Sequence, residues 1–159
     1  MTAEHVESRT LKDFVVDPDH DQRTESPEFR HTKKRLHDDG HMQCWVCGSL
    51  DKLQVHHLFC EYMFANVVDY DNLKAMAEEW DVYGYGRLLK KQPVLTPDDI
   101  RNMMVLCQTH HTGVSRGIHD ITFPTWISQK MALKGACPVP MLGETFDQAM
   151  ARIKKHERT

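Results

Sequence analysis

Two short ligand pairs, Cys44-x-x-Cys47 and Cys107-x-x-His110, constrain this chain more than any other feature of it. A two-residue spacer lets both side chains of a knuckle turn toward one point, and two knuckles joined by folding supply the four ligands of tetrahedral zinc. An ion held there ties an early part of the chain to Cys107, and its binding free energy becomes folding free energy. The competing reading is a set of buried thiols with a surface histidine, or a redox pair at Cys44 and Cys47. A redox pair belongs at a helix start in a thioredoxin-like βαβ unit, and no such pattern is visible.

The setting agrees with metal binding. The N-terminus, MTAEHVESRTLKDFVVDPDH, lacks a basic start followed by an apolar core. No apolar run approaches the roughly 18 residues of a membrane span, so no membrane partner is expected and the cytoplasm is the expected location. In that reducing compartment cysteines serve as ligands or buried thiols, and Cys60 and Cys137, with no knuckle partner, read as buried or free thiols. At 159 residues, 40% apolar and 27% charged, the chain suits one compact domain plus a tail.

The net charge of −3 is not that of a nucleic-acid binder, but its distribution is uneven. Residues 1–100 carry 12 Lys/Arg against 19 Asp/Glu, whereas residues 101–159 carry 8 against 4, which leaves room for a local basic surface.

Residues 1–27 form a polar, acid-rich arm broken by Asp17-Pro18-Asp19 and Ser26-Pro27. Ser26 as N-cap and Pro27 at the first position predict a helix to His37, ending at Gly40. CWVCGSLDKLQVHHLF reads as a knuckle, a turn over 48–52 and a strand over 53–58. Within an insertion at 60–98, residues 71–82 have Leu73, Met76 and Trp80 near helical spacing. Tyr83-Gly-Tyr-Gly86 breaks that pattern, and a shorter helix is predicted at 88–91. Thr96-Pro97-Asp98-Asp99 is a turn or helix start leading to the apolar run 103–107. A further helix is predicted over 124–133, then a linker over 135–143 with two prolines. From Thr145 an amphipathic helix carries Phe146, Ala149, Met150 and Ile153 on one face, with Arg152, Lys154, Lys155 and Arg158 elsewhere. The domain boundaries expected are therefore 1–27 for the arm, 28–135 for the main domain and 136–159 for linker and helix.

Outside the four zinc ligands remain His56-His57, Asn102, His111 and His119. Neighbours on a strand point to opposite faces, so His56 and His57 are expected to do different jobs. Taken in order, Cys44-x-x-Cys47-Gly48, Val55-His56-His57-Leu58, Asn102-x4-Cys107 and Cys107-x-x-His110-His111 resemble the zinc-containing branch of the HNH (ββα-metal) endonucleases. The resemblance covers about residues 44–119. It implies an α+β fold in which two antiparallel strands and a helix clasp one catalytic divalent cation, surrounded by further helices.

By resemblance His57 takes the place of the general base, and His56 and His111 those of ligands to Mg2+, Mn2+, Ni2+ or Zn2+. His119 resembles a further ligand of the colicin-like branch, although seven residues separate it from His111 where that branch has three. Asn102 takes the place of the asparagine that braces the loop behind the base. Cys44, Cys47, Cys107 and His110 would hold structural Zn2+.

The implied activity is hydrolysis of DNA to a 5′-phosphate and a 3′-hydroxyl, in the phage or mobile-element settings where small HNH domains of this kind are found. The physical logic is coherent: a near-neutral imidazole takes a proton from water and a divalent cation offsets charge on phosphate and leaving oxygen. Thr112–Ile118, with two glycines, reads as a loop inside the metal-binding helix. Arg116 is a candidate phosphate contact, against the commoner role of a solvated arginine. Tyr83 and Tyr85 either stack on bases or pack on the core, and the basic C-terminal helix either lies along DNA or packs on the domain. The alternative for the whole chain is a zinc-stabilised module that binds nucleic acid or protein and cleaves nothing.

Overall fold

In a computed structural model the described residues of the chain mix helices with one small two-stranded antiparallel sheet. The structure describes residues 24–62, 65, 66, 68–123, 126, 129, 134–137 and 139–156. Most of the expected arm, Arg158, and most of the helix expected over 124–133 lie outside the described residues. The rest falls into two compact units, one of residues 24–44 and 49–107, the other of 45–48 and 108–156.

In the first unit, α1 (Pro27–Asp38) starts where the sequence places it. Ser26 is extended at φ −67° and ψ 156°, and its Oγ accepts the Phe29 N–H at 2.9 Å. Proline at the first position loses no intrahelical bond there. The helix buries Thr32 and Leu36, and the left-handed Gly40 (φ +78°) follows its end.

Strands β1 (Leu53–His57) and β2 (Met103–Cys107) pair antiparallel, with Leu53 opposite Cys107, Val55 opposite Val105 and His57 opposite Met103. Directly opposed residues share a face, so Val55, His57, Met103 and Val105 lie together and His56 lies with Met104 on the other side. The first face packs with Leu36, Tyr85 and Ile100. All five residues of β2 are buried, which explains its uninterrupted apolar run. Its Val105 N–H is satisfied by the Tyr83 hydroxyl at 2.9 Å, and burial pushes that phenol up to about 12.

The connection between the strands carries α2 (Tyr70–Trp80) and the four-residue α3 (Tyr85–Leu88). Asp69 caps α2 through the N–H groups of Asp71 and Asn72. Of the residues at helical spacing, α2 buries Leu73, together with Ala77 four residues on, while Met76 and Trp80 are exposed at 45% and 39%. Trp80 instead meets Phe59 edge-on at 5.4 Å. The short helix starts inside the expected Tyr-Gly-Tyr-Gly break, three residues before its predicted place. Asp81 takes a left-handed turn (φ 38°) and its Oδ1 accepts the Gly86 N–H, where any Cβ would strike Asp81 and Glu78. Tyr85 is buried and bonds Asp39, so both tyrosines belong to the core packing.

Arg101 anchors this connection. Its buried guanidinium pairs with both Asp99 oxygens and donates to the carbonyls of Leu89, Gln92 and Pro93. It belongs to the short 3-10 turn Ile100–Asn102 that delivers β2, and the turn is capped by Asp99.

In the second unit, α4 (Gln108–His111) follows β2 in the chain and α5 (Phe146–His156) is the expected amphipathic helix. Arg152 is not left to water. It pairs with both Glu144 oxygens at 2.8 and 2.9 Å and donates to the Gly135 and Cys137 carbonyls, tying α5 to its own linker. Among the described residues no helix is long and apolar enough to cross a membrane.

Candidate metal centres and the histidine pair

Cys107 ends β2 and the chain turns at once into α4, so His110 follows it by one short turn. Cys44 donates its N–H to the Ser49 carbonyl at 2.8 Å, closing a turn in which Gly48 adopts φ +73°. The ligand atoms of Cys44, Cys47, Cys107 and His110 all lie within 4.8 Å of one another. Sulfurs about 2.3 Å from a shared tetrahedral ion stand roughly 3.8 Å apart, so this cluster fits one metal ion. None of the five cysteines is in a disulfide. The His110 carbonyl accepts Trp126 Nε1 at 2.9 Å, and the Trp126 ring, fully buried, stacks on Trp45 and Phe123.

A second group, His56, His111 and His119, also has ligand nitrogens within 4.8 Å of one another. The long spacing of His111 and His119 is absorbed by an excursion of the chain. Residues 112–117 loop out, and the N–H groups of Ile118 and His119 return to the carbonyls of His110 and His111. The loop is tight: a Cβ at Gly113 would stand 2.4 Å from the Thr109 oxygen, and one at Gly117 2.7 Å from that of His111. The Nε2 atoms of His111 and His119 end 3.2 Å apart. Burial, and then the neighbouring His119, lower the pKa of His111, favouring the neutral ring a metal needs.

His57 does not join either cluster. Its ring stacks on Phe29 of α1 at 5.5 Å and 18°, as its place on the α1-facing side of the sheet requires. Its Nε2 is 2.8 Å from Asp98 Oδ1, and its Nδ1 is 3.6 Å from Glu61 Oε2. The other Glu61 oxygen lies 3.7 Å from His56 Nδ1. Next to it, burial and then the Glu61 charge raise the Cys60 thiol.

Asn102 occupies all of its bonding capacity on the backbone around the histidine pair. Its Oδ1 accepts the N–H groups of Phe59 and Cys60, while its Nδ2 donates to the carbonyls of Cys60 and Pro97. The segment that follows His57 and the turn that carries Asp98 are thereby fastened to the start of β2. Arg116 is not at the surface as expected. It is 9% exposed, and its guanidinium donates to the Pro140 carbonyl rather than standing out toward solvent.

Asp98, Glu61 and Phe29 are neighbours of His57 that the motif does not announce. Thr96-Pro97-Asp98-Asp99 signals a turn and nothing more, since the bond from Asp98 to His57 spans 41 residues. The chain matches no family model, no curated protein and no solved structure.

Proposed function

We propose that the chain is a metal-dependent endonuclease of the HNH type that hydrolyses DNA phosphodiester bonds. One observation carries the reading: on a single short strand His56 joins a three-histidine cluster while His57, on the opposite face, stays outside any cluster among the described residues. Three imidazoles are neutral ligands that leave positions open on a divalent cation, whereas three thiolates and an imidazole form a closed, structural zinc set. Bound at His56, His111 and His119, such a cation would act as a Lewis acid toward phosphate and the departing oxygen.

The chain's own residues do the rest. His57 accepts the proton of a water molecule whose oxygen bonds to phosphorus. The bond from phosphorus to the 3′ oxygen breaks, and that oxygen takes a proton from solvent, leaving a 5′-phosphate and a 3′-hydroxyl. Asn102 holds the backbone after the base. The basic balance of the C-terminal part is partly turned inward, because Arg101, Arg116 and Arg152 donate to carbonyls or carboxylates. Phosphate contact would then rest on its lysines, among them Lys134, Lys154 and Lys155.

A binding module without catalysis is favoured by one specific observation, the 2% exposure of the His57 side chain between Asp98 and Glu61. The two readings separate in a plasmid-cleavage assay on metal-stripped protein given one divalent metal at a time, beside His57→Ala, with zinc counted on the same sample. Cleavage that needs added metal and His57, over one retained zinc, supports the nuclease. Absence of cleavage with any metal, from folded zinc-loaded protein on duplex, single-stranded and branched DNA, overturns it in favour of the module.

A further inference from the structure

His57 is locked by a carboxylate that the functional reading leaves without a task. Asp98 is 5% exposed, and both of its side-chain oxygens are engaged: Oδ1 faces His57 Nε2 at 2.8 Å and Oδ2 accepts the Ser26 hydroxyl at 2.6 Å. Its backbone is fixed too, with the carbonyl accepting Thr32 Oγ1 and the N–H donating to Thr96 Oγ1. Ser26 is itself held at both sides as the N-cap of α1, where its oxygen receives the Phe29 N–H and its own proton is left to donate to Asp98. Phe29, three residues along, stacks on the imidazole.

A carboxylate whose oxygens act as acceptors can meet Nε2 only if that nitrogen carries the proton. The two sides of the ring differ in access: Nε2 ends on Asp98, 8% exposed at its side chain, whereas Nδ1 looks toward Glu61, 35% exposed and too distant for a direct bond. We infer that Asp98 is the positioning residue of the base, that with Ser26 it fixes His57 in the Nε2-protonated form, and that Nδ1 is the nitrogen that takes the proton from water. This rests on the nuclease reading for its catalytic part and on geometry alone for the tautomer.

Asp98→Asn tests it without changing size. Ser26 still offers a proton, so the amide turns its oxygen to Ser26 and its NH2 to Nε2, which drives the imidazole proton to Nδ1. Removing the serine as well, in Ser26→Ala/Asp98→Asn, frees the amide to turn round and accept from Nε2. The readouts are the 15N resonances of the His57 ring in zinc-loaded protein, together with kcat, KM and zinc content.

The expected results are Nε2 protonated in the wild type, Nδ1 protonated in Asp98→Asn, and kcat lower by about 10²- to 10⁴-fold at near-unchanged KM and zinc content. Partial recovery of kcat in the double variant despite its lost helix cap also supports the inference, because a purely structural role would make it worse. A wild-type ring protonated at Nδ1, or an Asp98→Asn protein with unchanged tautomer and kcat, overturns it. If the wild type cleaves nothing, the nuclease reading fails by itself and the resonances still decide whether Asp98 sets the tautomer.

Discussion

Replacing Asn102 by alanine removes four hydrogen bonds at once, three of them fully buried. The side chain is 1% exposed, so water does not take its place without rearrangement. At about 1 kcal/mol net per bond, with an added penalty for buried groups left unpaired, the loss comes to about 3–5 kcal/mol. That is a large part of the roughly 5–15 kcal/mol by which domains are stable. With a urea slope of about 2 kcal/mol/M, the unfolding midpoint should fall by about 2 M. The measurement is urea unfolding followed by far-ultraviolet circular dichroism at fixed free zinc, because any metal binding to the folded state adds to apparent stability. Asn102→Asp is the companion, since it keeps the acceptor bonds but sets a carboxylate against the carbonyls of Cys60 and Pro97, and it should lose at least as much. A loss below about 1 kcal/mol in Asn102→Ala would refute the reasoning, because the segment after His57 would then be held by something other than this side chain.

Cys107→Ala should release the metal of the four-ligand cluster and lower Tm by roughly 6–20 °C for a loss of about 3–5 kcal/mol, whereas Cys137→Ser keeps one zinc per chain; equal zinc content in both variants, by atomic absorption, would speak against the cluster. Glu144 is held near a pKa of about 2, from an ordinary 4.5, chiefly by the Arg152 bonds and then by the Met141 N–H. A lowered carboxylate pKa stabilises above the unfolded value and the benefit fades as pH falls through the folded one. The Tm difference between wild type and Glu144→Gln should therefore be full above about pH 5 and vanish toward pH 2, and a difference independent of pH would show that the ion pair is not its source.

What the sequence made legible was local chemistry. Each half of the Cys/His cluster is defined within four residues, and the start of α1 within a Ser-Pro pair, so both are read directly. The alternation of a strand places His56 and His57 on opposite faces before any fold is known. Contacts that span the chain left no such trace. Asp98 reaches His57 from a turn whose composition announces only a turn, and Arg101 looks like one more surface charge although it fastens residues 89–93. Burial likewise depends on what covers a residue, which is why the sequence alone offers Arg116 and Arg152 to solvent or phosphate although both bond to backbone carbonyls.

The loop that carries His119 back to His111 has a consequence for how such chains are recognised. A search written for two ligands one helical turn apart passes over this sequence, because its second histidine arrives eight positions after the first. The transferable signature includes two residues without a ligand atom: Cys-x2-His-His-x-Gly-x3-Gly-x-His, with each glycine standing where a side chain would collide with backbone. Descendants of such a chain should keep or lose these glycines together with the last histidine, since a larger residue at either position removes the path by which that histidine returns to His111.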